Sequence, residues 1–260
     1  MTDLVSLIRG YVQPSECMAV FISGGLDSTI VLHHLTEKST EKIHTYTVGF
    51  QECNEWGDAL RVSKHYGTLH TEIEPCDILR KFSELQAILD RPRFNLWPVY
   101  AYEAAAKDGC QNIYIGEGLD EHFGGYWYKS VTTPQELWSG VLEWSLPTHR
   151  QLAKRSGLTL HHPLISLPLK STIRHWRDPH RGSMDKVMLR RAYRGVLPDF
   201  VVGKRKNPGR INWENPELWN RLIKPVLGLE APETHEEANR LVNVYLTRKW
   251  VEYHEDSAHR

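Results

Sequence analysis

Apolar and amphipathic segments alternate along the first half of the chain. Residues 19–22 are apolar and partly β-branched, which predicts a buried strand, and the apolar positions 31, 32 and 35 that follow have the spacing of one helix face. Strands that alternate with helices predict a parallel sheet covered on both faces. By the same patterns, further strands are predicted at 43–50, 68–73 and 113–115, and further helices at 57–66, 76–90 and 97–108.

Strand signals end at about residue 130, where leucine-rich and tryptophan-rich helical stretches broken by prolines begin. We therefore predict an α/β fold in two parts, an α/β core over residues 1–130 and a mainly helical extension over residues 131–260. Open parallel sheets bind their ligands at the carboxyl ends of the strands. We expect the chemistry at those ends, with the helical extension completing the acceptor site.

The residues after the first predicted strand are typical of a phosphate-binding loop. They read Ser23-Gly24-Gly25-Leu26-Asp27-Ser28. Glycines allow a sharp turn that brings backbone N–H groups close to an anion, and the serines add hydroxyl donors. Asp27 would repel a phosphate unless a divalent cation such as Mg²⁺ lay between them. A strand-turn-helix with a capping aspartate and no ligand is the alternative.

Composition narrows the class of partner. The 260 residues are enough for a full core, and 32 basic residues balance 32 acidic ones. Without a charge excess, nucleic acid and membranes are not expected as main partners, so a small-molecule substrate is favoured. No apolar run approaches the ~20 residues that span a bilayer. The four isolated cysteines and the absence of a secretory pattern predict a reducing, cytoplasmic location.

A second motif follows the strand predicted at 113–115. Residues 116–126 contain three acids and four glycines. Because parallel strands end at one edge of the sheet, Asp27 and Asp120 are expected in the same crevice, where two carboxylates suit Mg²⁺. Taken alone, the run also fits an acidic surface turn before a short helix.

Together these segments resemble the synthetase domain of asparagine synthetases and their relatives, which include the β-lactam synthetases. In that family the synthetase domain is an ATP pyrophosphatase, or PP-loop, domain. The Gly-x-x-x-x-Gly-Lys-Ser/Thr run of Walker-type sites is absent from this chain. The resemblance implies an adenine nucleotide alpha-hydrolase-like core. The matching segments are 23–28, 48–50, 67–72, 116–126, 186–192, 197–198 and 204–206.

The resemblance further implies an AMP-forming carbon–nitrogen ligase that uses ATP and Mg²⁺. In such an enzyme a substrate carboxylate attacks the α-phosphate, pyrophosphate leaves, and ammonia or an amine then displaces AMP to form an amide. Two other functions stay open at this point. One is a PP-loop adenylase that modifies RNA, and the other is a non-catalytic nucleotide-binding subunit that pairs with a separate glutaminase.

The same resemblance implies a role for each matching residue. Glu117 takes a proton from the attacking amine, which suits a carboxylate whose burial raises its pKa toward neutrality. Lys206 steadies charge on the phosphates, although a solvated basic loop would show the same residues. Mg²⁺ is bound by Asp27 and Asp120. ATP is contacted by Phe21 and Val48 beside the adenine, by Gly116 near the ribose and α-phosphate, and by Ser23, Gly24, Gly25, Asp27 and Ser28 at the pyrophosphate.

The chain departs from the family at its start and at three positions beside the expected acceptor site. Thr2 replaces the nucleophilic cysteine, and the first matching segment begins at residue 23, so no glutaminase domain is expected. The nitrogen would come from free ammonium, from a separate glutaminase subunit or from an amine substrate. Leu119, Ser166 and Lys204 replace a small residue, an acid and an arginine, which leaves the identity of the carboxylate open.

Two other sequence features carry weaker expectations. The nine tryptophans are scattered, which predicts core packing or a subunit interface and leaves a homo-oligomer open. The pairs 33–34 and 161–162 are adjacent histidines, and neighbouring side chains point apart, so neither pair is expected to share a metal.

Overall fold

The computed structural model describes residues 3–125, 134–168, 186–205 and 211–258. Its strands are β1 (Met18–Phe21), β2 (His44–Val48), β3 (Leu69–Ile73), β4 (Asn112–Tyr114) and β5 (Thr159–His161). They form one sheet in the order β3-β2-β1-β4-β5, and every neighbouring pair is parallel. The predicted parallel α/β architecture is therefore confirmed.

Helices make up the other described elements. The helix joining α7 to α8 is a π-helical segment, Gly140–Ser145, and a 3₁₀ turn, Gln86–Ile88, follows α4. The helices are α1 (Leu4–Tyr11), α2 (Leu26–Lys38), α3 (Trp56–Tyr66), α4 (Ile78–Leu85), α5 (Pro98–Lys107), α6 (Leu119–Phe123), α7 (Pro134–Ser139), α8 (Leu146–Arg155), α9 (Val187–Ala192), α10 (Asp199–Val202), α11 (Pro216–Leu222), α12 (Lys224–Leu227) and α13 (His235–Ala258).

Side chains of β1 alternate between two cores, one on each face of the sheet. Ala19 packs in the cluster that contains Tyr46 and Tyr102, whereas Val20 packs in the cluster that contains Ile30. This alternation is the two-residue period of a strand, and a parallel sheet requires burial on both faces. Residues of α4, α5, α8, α11 and α13 belong to the first core, and residues of α1, α2, α3, α9 and α10 belong to the second.

The second half of the chain also contributes a strand, which the sequence prediction lacked. β5 pairs with β4, and the His161 ring stacks on Tyr114 with centroids 4.4 Å apart. Its residues, Thr159-Leu160-His161, include a single apolar side chain, whereas the equally short β4 lies within the apolar run 113–115. The other elements described after residue 133 are helical, as predicted. The division at residue 130 stays a prediction.

The strand order places a crevice at the carboxyl ends of β1 and β4. From β1 the order continues to β2 and β3 on one side, and β4 and β5 lie on the other side, so the order switches direction between β1 and β4. Open α/β sheets bind ligands at the carboxyl ends of the strands beside such a reversal. The loops that follow β1 and β4 are the two sequence motifs, so both reach the same crevice.

α13 is the longest described helix and lies on the first core. Ala238, Val242 and Leu246 are buried there, one on each successive turn. The remaining face is mainly charged and polar, and Val244 and Tyr253 are also exposed on this helix. No helix within the described ranges is both long and apolar enough to cross a bilayer.

A buried histidine on α2 contacts Tyr193, the residue that follows α9. His34 is fully buried, with Nδ1 2.8 Å from Glu37 Oε2 and Nε2 2.9 Å from the Tyr193 hydroxyl. Burial lowers the pKa of His34, and the Glu37 carboxylate only partly offsets this. The His33 and His34 rings lie 4.9 Å apart and could ligate a metal with Glu37, so the expectation that they point apart is wrong. Arg9 Nε, 3.5 Å from Glu37, already supplies a cation there.

Acid is expected to destabilise the fold below pH 6.5. A histidine whose pKa is lower in the folded protein stabilises the fold when it is neutral. That contribution is complete above the unfolded-state pKa of 6.5 and is lost as the pH falls below it. For His34 the free energy of unfolding should fall by at most about 1.4 kcal/mol per pH unit. Urea unfolding measures this slope, and an equal slope in His34→Gln would contradict its assignment to His34.

Candidate active site

A cavity of about 500 Å³ opens where β1 and β4 end. This volume is typical of small-molecule sites. The loop after β1, the end of β2, the loop after β4, the start of α5 and the helix from α7 to α8 surround it. The sequence-predicted residues that line it are Phe21, Ser23, Gly25, Asp27, Ser28, Val48, Gly116, Glu117 and Asp120.

The loop after β1 presents the N-terminus of α2 to this cavity. Ser23 Oγ accepts a hydrogen bond from the Gly25 N–H at 3.3 Å, and Ser28 Oγ accepts one from the Ser23 N–H at 3.3 Å. Gly24 has φ +67°, and a Cβ there would lie 2.5 Å from the Asp58 backbone. Gly24 therefore allows the loop to pass close to α3. It is not one of the residues that line the cavity. An N-terminus with such backbone donors attracts anions such as phosphate.

Gly116 brings the loop after β4 against the start of α2. A Cβ at Gly116 would lie 2.6 Å from the Ser28 backbone nitrogen and 2.8 Å from the Asp27 carbonyl carbon. These are backbone atoms, so a side chain cannot be accommodated by a rotamer change. The close approach places the Asp27 and Asp120 loops side by side.

Gly116→Ala is expected to lower the free energy of unfolding by about 1–3 kcal/mol, because the loop must move away from α2. The matched control is Gly57→Ala in α3, where a Cβ meets nothing within 4 Å. That change is expected to be neutral or to stabilise by up to about 1 kcal/mol. Urea unfolding of both variants provides the comparison. Equal stability of the two variants would contradict the close approach.

Lys186 lies between the two predicted magnesium ligands. Its Nζ is 2.6 Å from Asp120 Oδ1 and also donates to Asp27 Oδ2, and the side chain is 3% exposed. Burial alone lowers the pKa of Lys186, but the Asp120 and Asp27 carboxylates outweigh it and raise that pKa above its ordinary value. Its φ of +52° is uncommon for a residue other than glycine. No role for Lys186 was predicted, although it opens the matching segment 186–192.

The two carboxylates fit a magnesium ion. Asp27 and Asp120 come from different strand ends and converge on one point, which an ammonium group contacts in this structure. Their donors are hard oxygen atoms, which Mg²⁺ prefers. A Cβ at Gly125 would lie 1.6 Å from Asp120 Oδ1, so a glycine is needed beside this carboxylate. The geometry thus provides a cation position next to the predicted phosphate-binding loop.

Glu117 lines the same cavity and is partly buried, with 32% of its side chain exposed. The Ser145 hydroxyl donates to its Oε1 at 2.6 Å, and His149 Nε2 lies 3.3 Å from the same oxygen. Burial alone raises the pKa of Glu117, but His149 and the Ser145 hydroxyl outweigh it, so the pKa is lowered. The expectation of a pKa raised toward neutrality is therefore wrong. The pKa is lowered because two donors, Ser145 and His149, come from the second half of the chain.

An apolar corner of the cavity suits a flat ring. Phe21 and Trp97 have ring centroids 5.1 Å apart, and Val48 lies at the end of β2 beside them. Trp97 Nε1 is buried and has no hydrogen-bond partner in the described part of the chain. Stacking surfaces with a spare N–H donor can bind a heteroaromatic ligand such as adenine. Trp97 carried no sequence signal of this role.

Basic residues border the side of the cavity nearest α3. Lys204 and Arg205 line it, and Lys204 Nζ is 3.1 Å from Glu55 Oε1 and 2.8 Å from Asp58 Oδ2. The predicted catalytic Lys206 lies outside the described residues. Of the three departures from the family, Lys204 lines the cavity, whereas Leu119 is buried in the second core and Ser166 is exposed.

Comparisons with known proteins agree with the two motifs. The asparagine synthase family model matches residues 12–156. Asparagine synthetase B (glutamine-hydrolyzing) of Escherichia coli (strain K12) is 24% identical over 232 residues, which cover 76% of this chain and 42% of that protein. A putative asparagine synthetase (glutamine-hydrolyzing) of Mycobacterium bovis is 23% identical over 220 residues, which cover 81% and 31%. The chain spans less than half the length of these relatives.

Solved structures that match this chain include two synthetases. NMN synthetase from Francisella tularensis is 13% identical, with a TM-score of 0.43 over 98% of this chain and 93% of that chain. NH3-dependent NAD synthetase from Campylobacter jejuni is 18% identical, with a TM-score of 0.34 over 79% and 95%.

The family model includes both site motifs, the loop at 23–28 and the acidic run at 116–126. The structure brings these motifs to one crevice of a parallel sheet. Since the match extends over more than half of the chain, the chain belongs to the asparagine synthase family.

Proposed function

We propose that the chain is an ATP-dependent, amide-forming ligase. It adenylates a substrate carboxylate with release of pyrophosphate, and then transfers the acyl group to ammonia or an amine with loss of AMP. The observation that carries the proposal is the convergence of Asp27 and Asp120 on one cation position at the N-terminus of α2, with Glu117 in the same cavity. A phosphate-binding loop alone would not require this arrangement.

Each part of the cavity has a role in this proposal. Phe21, Val48 and Trp97 bind the adenine, and the loop at 23–28 holds the pyrophosphate end of ATP with N–H and hydroxyl donors. Asp27 and Asp120 would hold Mg²⁺, which neutralises charge on the departing pyrophosphate when bound. Lys186 must then release at least one carboxylate and is placed to contact the phosphates.

The second step takes place beside Glu117. Its carboxylate accepts a proton from the nitrogen nucleophile as the new C–N bond forms, while the C–O bond to AMP breaks. Water must be excluded, because it would hydrolyse the acyl-adenylate. Leu137 and Val141, on the helix that runs over the cavity, are buried and line it. We propose that this helix shields the intermediate.

The nitrogen source and the assembly belong to the same proposal. The donor is ammonia, free or delivered by a separate glutaminase subunit, or an amine carried by a second small molecule. Relatives named as glutamine-hydrolyzing are more than twice as long as the part matched here. Mass photometry of the chain alone, and mixed with a glutaminase domain, tests for a homo-oligomer and for such a partner.

Product analysis tests the proposed reaction. The chain is incubated with Mg-ATP and a panel of carboxylates that includes L-aspartate, with and without ammonium. AMP and pyrophosphate should appear in equal amounts and depend on the carboxylate, whereas Asp27→Asn should release neither. ADP and phosphate as products would refute the proposal. AMP formed only when RNA is added would favour an RNA-modifying adenylase, and no AMP above the Asp27→Asn level would favour a non-catalytic subunit.

A further inference from the structure

Glu117 is held at only one of its two carboxylate oxygens. Ser145 and His149 both contact Oε1, at 2.6 Å and 3.3 Å. Oε2 is buried and has no hydrogen-bond partner among the residues that the structure describes. A buried carboxylate oxygen without a donor is costly unless a ligand supplies one. The geometry therefore leaves Oε2 for a ligand that carries an N–H or O–H group.

A buried tyrosine contacts the other ring nitrogen of His149. Tyr102, on α5, is fully buried, and its hydroxyl contacts His149 Nδ1. Burial raises the pKa of Tyr102 well above its ordinary value, so the hydroxyl keeps its proton. A tyrosine O–H that donates to Nδ1 leaves the ring hydrogen on Nε2, which is the nitrogen next to Glu117. Tyr102, His149 and Glu117 thus form a row of contacts from α5 through α8 to the loop after β4.

We propose that His149 is a positioning residue for amide formation, in which its Nε2–H, backed by Tyr102, fixes Glu117 Oε1 so that Oε2 meets the nitrogen nucleophile. The inference rests on the proposed function and adds a residue that the sequence motifs do not contain. In the step itself, a proton passes from the nucleophile nitrogen to Oε2. The C–N bond forms, and the electron pair of the breaking C–O bond leaves with AMP.

Other charged groups near Glu117 do not explain this arrangement. Asp120, on α6, is a like charge that raises the pKa of Glu117, and Ser145 is a neutral donor. His162, after β5, interacts with Glu117 and His149 only through space, and it contacts Arg150 at 3.3 Å. Among the described residues, His149 and Ser145 are thus the two donors that contact the Glu117 carboxylate. Without His149, the carboxylate keeps the Ser145 hydroxyl as its donor.

Separate assays of the two half-reactions test the proposal. For His149→Gln, carboxylate-dependent ATP–pyrophosphate exchange should stay within about twofold of the wild type, whereas amide formation with ammonium should fall about 10- to 100-fold. Hydroxylamine reacts without a strong base, so it should restore most of the rate. Tyr102→Phe is the milder second variant, and His162→Gln is the matched control with unchanged rates. An equal loss of exchange and amide formation, or no loss, would overturn the proposal.

A second readout needs no substrate. Glutamate labelled with ¹³C at the side-chain carboxyl gives a titration for Glu117, assigned by its disappearance in Glu117→Gln. The midpoint should rise by about one pH unit in His149→Gln and stay unchanged in His162→Gln. An unchanged midpoint in His149→Gln overturns the positioning role. If the wild type shows no carboxylate-dependent ATP–pyrophosphate exchange, the proposed function fails. The titration still tests the contact between His149 and Glu117.

Discussion

Replacing Glu117 with glutamine is expected to stop amide formation while the chain still adenylates its carboxylate. Glutamine has nearly the same shape, and its amide oxygen still accepts the Ser145 hydroxyl that donates at 2.6 Å to Oε1. It cannot take a proton from the nucleophile. Loss of a general base lowers the rate by about 10²- to 10⁴-fold. In the proposed reaction, adenylation depends on the loop at 23–28 and on the two aspartates, which the substitution leaves in place.

Two assays on one preparation separate these steps. ATP–pyrophosphate exchange reports adenylation, and amide release with ammonium reports the second step. Glu143→Gln is the matched control, because Glu143 is an exposed glutamate on the Gly140–Ser145 segment and its carboxylate contacts only Ser139 among the hydrogen bonds described. Both rates should be unchanged in the control. A Glu117→Gln variant that loses exchange as fully as amide formation would contradict the assigned role.

Lys186→Met is expected to cause the largest loss of stability. Methionine keeps most of the side-chain volume but leaves the Asp27 and Asp120 carboxylates facing each other without the ammonium group. Removing one partner of a buried ion pair costs about 3–5 kcal/mol. Mg²⁺ should offset part of this loss, because a divalent cation can take the position between the carboxylates.

Thermal unfolding with and without Mg²⁺ measures this effect independently of activity. The rise in Tm on adding Mg²⁺ should be larger for Lys186→Met than for the wild type. Lys204→Met is the matched control: its Nζ also contacts two acids, but these pairs are partly exposed, so the loss should be about 0–1 kcal/mol. Equal Mg²⁺ stabilisation of Lys186→Met and the wild type would contradict a cation site between the aspartates.

The sequence predicted the elements whose signal is local. The first strand, its glycine loop and α2 follow from apolar periodicity and from two glycines within one contiguous segment. The alternation of strands and helices likewise predicted a parallel sheet. β5 was missed because Thr159-Leu160-His161 has a single apolar side chain and therefore no local strand signal, unlike the apolar run 113–115. Its place is set by pairing with β4, which is a long-range contact.

The site shows the same division between local and distant signals. Both motifs are contiguous, so their convergence followed from the strand ends. Lys186 contacts Asp27 across 159 positions of sequence, and Tyr102 contacts His149 across 47. Neither separation corresponds to a helix or strand period, so the sequence does not indicate either contact. The pKa of Glu117 was mispredicted for this reason, since its direction depends on His149, which the chain supplies from a separate helix.

The most direct measurement of carboxylate activation follows an oxygen atom. A carboxylate that supports AMP formation is labelled with oxygen-18, and the AMP is analysed by mass spectrometry after one turnover with Mg-ATP and ammonium. Attack of the carboxylate on the α-phosphate transfers one labelled oxygen to AMP, so singly labelled AMP is the expected result. Unlabelled AMP, or ADP in its place, would show that the cavity does not adenylate a carboxylate.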